Sequence, residues 1–211
     1  IERIKDINII PSPYLTGALD QYFQLPLIPM IETTRGCPFT CTFCADGLAV
    51  KSKINRYETQ RTREELQYIA KNINKIDELI VTDLNFGMYK QDVETAKEIA
   101  NIQKNYNYPV SVDAPAGKNM PKRIINIASI MKGWSMGGVI QSSDPGVLKA
   151  IKRSNISINA YQDLIDFGNK QKANRTYTEI ILGLPDDTKE KHLKSLRLGV
   201  EKSVNNLRMH Q

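Results

Sequence analysis

The sequence predicts an α/β fold built on a parallel sheet, and three observations carry that prediction. Short runs rich in β-branched residues alternate with amphipathic stretches in steps of about 30 residues, the rhythm of repeated βα units. Hydrophobic residues at 41% and charged residues at 25% over 211 residues match one globular domain with a sizeable core. No apolar run reaches about 18 residues, so no transmembrane helix is expected. A complete eight-unit barrel takes about 250 residues, so the sheet is expected to be an incomplete barrel or an open sheet.

The elements follow in order. Pro26 to Thr33 reads as the first strand and runs into a cysteine-bearing loop. Thr62 to Ile73 is helical, with Leu66, Ile69 and Ile73 on one face and Thr62 and Glu65 spaced as a capping box. Glu78 to Asp83 (ELIVTD) is a buried strand ended by the Asn85 to Gly87 turn, and Gln91 to Lys104 is a helix. Pro109 to Asp113 is a strand, and Pro121 to Met131 a helix with proline at its favoured first position. Ser135 to Gln141 is the fourth strand, after which Asp144 and Pro145 open a short helix through Ile151. Ala160 to Ala173 is helical, Thr176 to Leu182 a strand, Gly183 to Pro185 a turn and Thr188 to Val200 a helix. A sixth strand begins after Asn205 and Asn206. Ligands of such sheets gather at the carboxyl ends of the strands, so the chemistry is expected in DLNFG, DAPAG, QSSD, GLPDD and the cysteine loop.

Charge excludes little. The 29 Lys+Arg against 23 Asp+Glu leave +6, spread along the chain as on a solvated surface rather than gathered into a polyanion site. Cysteine is more informative, because Cys37, Cys41 and Cys44 are the only three and fall within eight residues. Three crowded thiols make no disulfide framework and point to a reducing compartment and a metal. An iron–sulfur cluster held by three thiolates, a zinc ion and plain packing of cysteines are the alternatives. Zinc wants a fourth ligand, and the two histidines, His192 and His210, lie far along the chain. There is no GxxxxGK[ST] and no GxGxxG after a strand, so triphosphate and dinucleotide sites are unsupported.

ETTRGCPFTCTFC resembles the signature of the radical S-adenosylmethionine (radical SAM) superfamily, in which Cys-x3-Cys-x-aromatic-Cys anchors a 4Fe–4S cluster. DLNFG, QSSDPGVLKAIKRSNIS and ILGLPDDT are similar, in that order, to members carrying a cobalamin-binding domain ahead of the radical core, and PSPYLTGALD to the linker after that domain. The resemblance implies a partial (βα)6 radical SAM barrel truncated at both ends. Residues 1–25 would be the linker from an absent upstream domain, and residues 26–211 the core, ending early in the sixth strand. Cobalamin, if used, would be bound mainly outside this chain, which lacks the Asp-x-His-x-x-Gly motif.

The resemblance also assigns residues. Cys37, Cys41 and Cys44 would ligate three irons, and the amino and carboxylate groups of SAM would chelate the fourth. One electron from the cluster would split SAM into methionine and a 5′-deoxyadenosyl radical. Phe43 would pack near the adenine, unless it simply fills the core. DLNFG stands where many relatives have Gly-Gly-Glu, so Asp83 and Asn85 are the candidates for the SAM ammonium, an Asx turn being the alternative for Asn85. Gln141 and Ser142 are placed for ribose hydroxyls or the SAM carboxylate, while Ser143 and Asp144 suit a helix cap. Gly183 would let backbone approach the adenine, with Ile181 or Leu184 giving apolar contact; alternatively Gly183 is an ordinary turn. Arg153 and Asp113 are possible polar contributors that also fit structural roles. No individual catalytic residue is assigned.

The expected activity is that of a radical SAM enzyme core, through hydrogen abstraction or cobalamin-dependent methyl transfer. Its expected partners are SAM, a low-potential donor of flavodoxin or ferredoxin type and an unidentified substrate, in a cytoplasmic setting without membrane. A tRNA methylthiotransferase-like enzyme is one alternative, though no aromatic-rich RNA-reading motif is present. A non-catalytic iron–sulfur or zinc module is the other.

Overall fold

A computed structural model describes residues 4–171 and 175–211 of the chain. Its elements run β1 (Met30–Ile31), β2 (Thr34–Arg35), β3 (Asn55–Arg56), α1 (Thr59–Asn72), β4 (Glu78–Val81), α2 (Gln91–Tyr106) and β5 (Ser111–Asp113). They continue as α3 (Pro121–Ile130), β6 (Met136–Gly137), α4 (Pro145–Ala150), α5 (Ile158–Lys170), β7 (Thr176–Ile181), α6 (Lys189–Glu201) and β8 (Asn206–His210). β1, β4 and β5 form one parallel ladder and β6, β7 and β8 a second, both in chain order. The two meet at a parallel bridge, Val112 to Trp134, where Val112 N–H donates to the Gly133 carbonyl at 3.0 Å. Among the described residues β8 makes no ladder with β1, so the parallel sheet stays an open, partial barrel.

The core lies between sheet and helices. Leu66 and Ile69 of α1, Ile99 of α2 and Ile127 of α3 are fully buried against Leu79 and Val112. Trp134 closes the junction between the ladders: it is 0% exposed, donates through Nε1 to the Ala114 carbonyl at 3.0 Å and meets Phe86 edge-on at 5.4 Å. That pairing satisfies its one polar group while the ring supplies apolar area. The stretch before β1 packs on the same core. Tyr14 and Phe23 are buried in it, and the Tyr14 hydroxyl bonds the Met30 backbone at both N–H and carbonyl.

Several boundaries differ from expectation for physical reasons. The first strand is confined to Met30–Ile31, because Pro26 and Pro29 have no N–H to give a ladder. α1 starts at Thr59, so Thr62 is not a cap: its hydroxyl turns back to the Glu58 carbonyl, and Glu65 pairs with Arg61 at 3.0 Å. α2 runs on to Tyr106 and stops where Asn107 turns left-handed at φ 53°. α5 begins at Ile158, capped by Ser157, and the expected end at Ala173 lies outside the described residues.

β6 shows the most consequential difference. It leaves its ladder after Gly137 and touches β7 again through a bridge from Gln141 to Ile180. In between, side chains collect the carbonyls that a ladder would have used. Thr178 donates to Gly138, Arg153 to Val139 and Asn155 to Ile140. Every carbonyl is satisfied, so the bulge is stable and re-aims Val139 and Gln141 at the inside of the sheet.

Candidate metal centre

The cysteine loop hangs from an antiparallel clamp that sequence reading did not anticipate. β2 and β3 pair Thr34 with Arg56 and Arg35 with Asn55, holding both ends of residues 36–54 together. Gly36 enters at φ 109°, and a Cβ there would lie 2.4 Å from the Lys53 carbonyl oxygen, so only glycine fits. Gly47 packs so closely that a Cβ would lie 2.3 Å from the Cys41 carbonyl oxygen. Thr42 N–H donates to the Ile151 carbonyl at 3.1 Å and ties the loop to the end of α4.

All three cysteines are free thiols, Cys41 buried and the other two half-buried, and all three line one cleft of about 270 Å³. Each sulfur faces a nitrogen donor. Asn85 Nδ2 lies 3.3 Å from Cys37 Sγ, the Asp46 N–H nitrogen 3.4 Å from Cys44 Sγ, and Lys118 Nζ 3.7 Å from Cys41 Sγ. Burial pulls the Lys118 ammonium below its usual range, and the facing Cys41 pulls it back up. Among the described residues no three His, Cys, Asp or Glu side chains converge on a point that one ion would occupy. His192 and His210 do not line the cleft.

Of the residues singled out in sequence, Phe43, Asn85, Gln141, Asp113 and Arg153 reach this cleft with the cysteines. Gln141 is 7% exposed, its Oε1 has no hydrogen-bond partner, and its backbone sits at φ 61°. A buried orphan acceptor on a strained backbone is an arrangement found at ligand sites. Arg153, beside Cys41, is also held by the Val139 carbonyl and Asn155.

The remainder stand elsewhere. Asp83 is 2% exposed and takes both the N–H and the hydroxyl of Thr33, so its carboxylate locks the end of β1 to β4 rather than facing the cleft. Burial raises its pKa, and the Thr33 bonds hold part of that rise back. The Ser142 hydroxyl accepts from Asp144 N–H at 3.2 Å, inside the turn that leads to α4. Ile181 and Leu184 gather with Val147, Ile151 and Phe43 in a small apolar cluster beside the loop. Gly183 turns at φ 78° with open space around it.

Sequence reading missed the opposite wall. Tyr177 and Glu179 of β7 and Arg208 of β8 line the cleft; Arg208 stacks 4.3 Å over the Tyr177 ring and lies 3.6 Å from Glu179. Burial, reinforced by Glu179, pushes the Tyr177 hydroxyl up to about 12. The available signal was period two: Tyr177 and Glu179 share one face of a strand whose other face, Thr176, Thr178 and Ile180, is fully buried.

The family model for the radical SAM superfamily matches residues 31–199. The chain is 33% identical over 199 residues to the cobalamin-dependent radical SAM methyltransferase TokK of Streptomyces tokunonensis, covering 89% of this chain and 28% of that protein. It is 33% identical over 196 residues to 2-(S-pantetheinyl)-carbapenam-3-carboxylate methyltransferase of Streptantibioticus cattleyicolor, covering 87% of this chain and again 28% of the relative. The chain thus spans little more than a quarter of either protein. In fold it matches the radical S-adenosylmethionine methyltransferase TsrM of Kitasatospora setae with a TM-score of 0.76 at 14% identity, over 90% of this chain and 37% of that one. With the thiol-lined cleft at the carboxyl ends of its parallel strands, this chain belongs to the radical SAM superfamily.

Proposed function

We propose that this chain is the radical SAM core of a cobalamin-dependent methyltransferase, with a 4Fe–4S cluster on Cys37, Cys41 and Cys44 and SAM beside it. The observation that carries the reading is three free thiols around one cleft, each with a nitrogen donor at its sulfur. That donor set fits a cube, whose thiolates bind separate irons and need not converge on one ion. When bound, the cluster supplies one electron to the SAM sulfonium and cobalamin a carrier for the methyl group.

The chain's own residues then orient and shield. Gln141 Oε1, buried and unpartnered, accepts from the SAM ammonium or a ribose hydroxyl. Phe43, Ile181 and Leu184 form an apolar shelf for the adenine, and the open backbone at Gly183 lets the ring approach. Asn85 serves the Cys37 sulfur, and Asp83 and Ser142 support this wall through the turns they hold. Tyr177, Glu179 and Arg208 face the substrate. Residues 1–25 lead in from a cobalamin-binding domain and pack through Tyr14 and Phe23 on the core formed by residues 26–211, and the donor is a flavodoxin or ferredoxin in the cytoplasm. No described helix is long and apolar enough to cross a membrane.

Two relatives at 33% identity named as methyltransferases favour this reading over tRNA methylthiolation. The test is anaerobic reconstitution of the full-length protein with iron, sulfide and cobalamin, then dithionite and SAM. S-adenosylhomocysteine from wild type and none from Cys41→Ala is the expected result. 5′-Deoxyadenosine alone would assign hydrogen abstraction instead. A cluster that never binds or cleaves SAM, or zinc uptake without a cluster, would sink the reading.

A further inference from the structure

The three nitrogen donors at the sulfurs come from three different pieces of chain and differ in charge. Asn85, after β4, and the Asp46 backbone N–H are neutral; Lys118, after β5, brings an ammonium group to Cys41, the buried cysteine. Its placement is built into the fold. Phe86 N–H donates to the Pro115 carbonyl at 2.9 Å and Gly117 N–H to the Phe86 carbonyl at 2.8 Å, zipping the two loops so that Asn85 and Lys118 arrive at one mouth. The Phe39 ring, 3.6 Å from Lys118 Nζ, backs the ammonium on another side. Arg153 also acts on Cys41, but its guanidinium is engaged by Val139 and Asn155.

We propose that Lys118 is a positioning residue that raises the reduction potential of the cluster through the Cys41 sulfur. The inference rests on the loop carrying a cluster, as argued above. The step concerned is uptake of one electron from a low-potential donor, with no bond made or broken and no proton moved. That electron adds one negative charge to the cluster, and a cation 3.7 Å from a ligating sulfur stabilises the reduced form more than the oxidised one. The potential is therefore set partly from the loop after β5, outside the cysteine motif.

The test compares wild type, K118M and K118R in the full-length protein, reconstituted anaerobically with iron and sulfide. Iron content is measured first, then the midpoint by dithionite titration followed by EPR, without SAM. Equal iron content, a lower midpoint in K118M and a midpoint near wild type in K118R are expected. An unchanged midpoint in K118M overturns the proposal. So does a K118M that takes up no cluster while K118R does, because Lys118 then serves assembly. A wild type without a cluster overturns the reading of the loop itself, so the two failures are told apart.

Discussion

Asn85 Nδ2 donates to Cys37 Sγ at 3.3 Å across 48 residues of sequence, joining the loop after β4 to the first cysteine of the motif. Asn85 is 8% exposed, so the bond is made in a partly dry setting where a donor to an anionic sulfur counts for more than in water. Asn85→Ala is expected to cost about 1.5–3 kcal/mol of cluster binding, at least tenfold faster loss of iron to a chelator. Asn85→Asp should be worse, since it sets a carboxylate against a thiolate. Equal iron loss in wild type and both variants would refute the role.

Gly47→Ala separates the loop from the fold. A Cβ 2.3 Å from the Cys41 carbonyl oxygen forces the loop to move, at about 1–3 kcal/mol. The clash lies in the loop, so iron uptake should fall, and at about 2–4 °C per kcal/mol the melting midpoint should drop by about 2–12 °C. Full iron uptake by the variant would show that the loop absorbs the change without consequence.

Gln141→Gly should act in opposite directions on stability and on ligand. Glycine relieves the φ 61° backbone, an effect of about 1 kcal/mol, so the protein should be no less stable. The buried Oε1 acceptor is lost, and SAM affinity measured by calorimetry should drop about tenfold or more. Unchanged SAM affinity would remove Gln141 from the site.

Asp92 predicts a pH dependence. Its Oδ2 accepts from the Gly87 and Tyr89 N–H groups, both at 2.8 Å, and so holds the DLNFG loop on α2. Burial raises its pKa from 3.8 to about 6; Asp83 adds to the rise, and the two N–H bonds and Arg56 oppose it. The native state therefore holds this proton more tightly than the unfolded chain. The group's contribution is fully present below pH 3.8 and is lost as pH rises through 6, about 3 kcal/mol at most. Asp92→Asn keeps an acceptor without the charge and should flatten this slope in urea-melt stability between pH 4 and 6.5. The same slope in wild type and variant would contradict the assignment.

Much of the architecture was readable because it depends on local periodicity. A helix over Gln91 and the residues after it, a buried strand at Glu78 and a proline-started helix at Pro121 each follow from spacing within a dozen residues. The thiol-lined cleft was readable for the same reason, since Cys37, Cys41 and Cys44 sit on one short loop. Asp83 bonds Thr33, 50 residues earlier and just past β1, a partner that spacing along the chain does not reveal.

Chain-local chemistry thus specified the βα rhythm, the thiol loop and the end of the sheet where it sits. Three-dimensional packing alone chose which polar groups face the cleft. Lys118 stands 77 residues from Cys41, and Arg208 of β8 meets Glu179 of β7 only because the two strands pair in parallel register. The bulge after Gly137, which aims Gln141 inward, exists because Thr178, Arg153 and Asn155 arrive from later elements to take its carbonyls. Hydrogen bonds act within about 3 Å, and which distant residues come that close is decided by how the strands stack, not by their order in the chain.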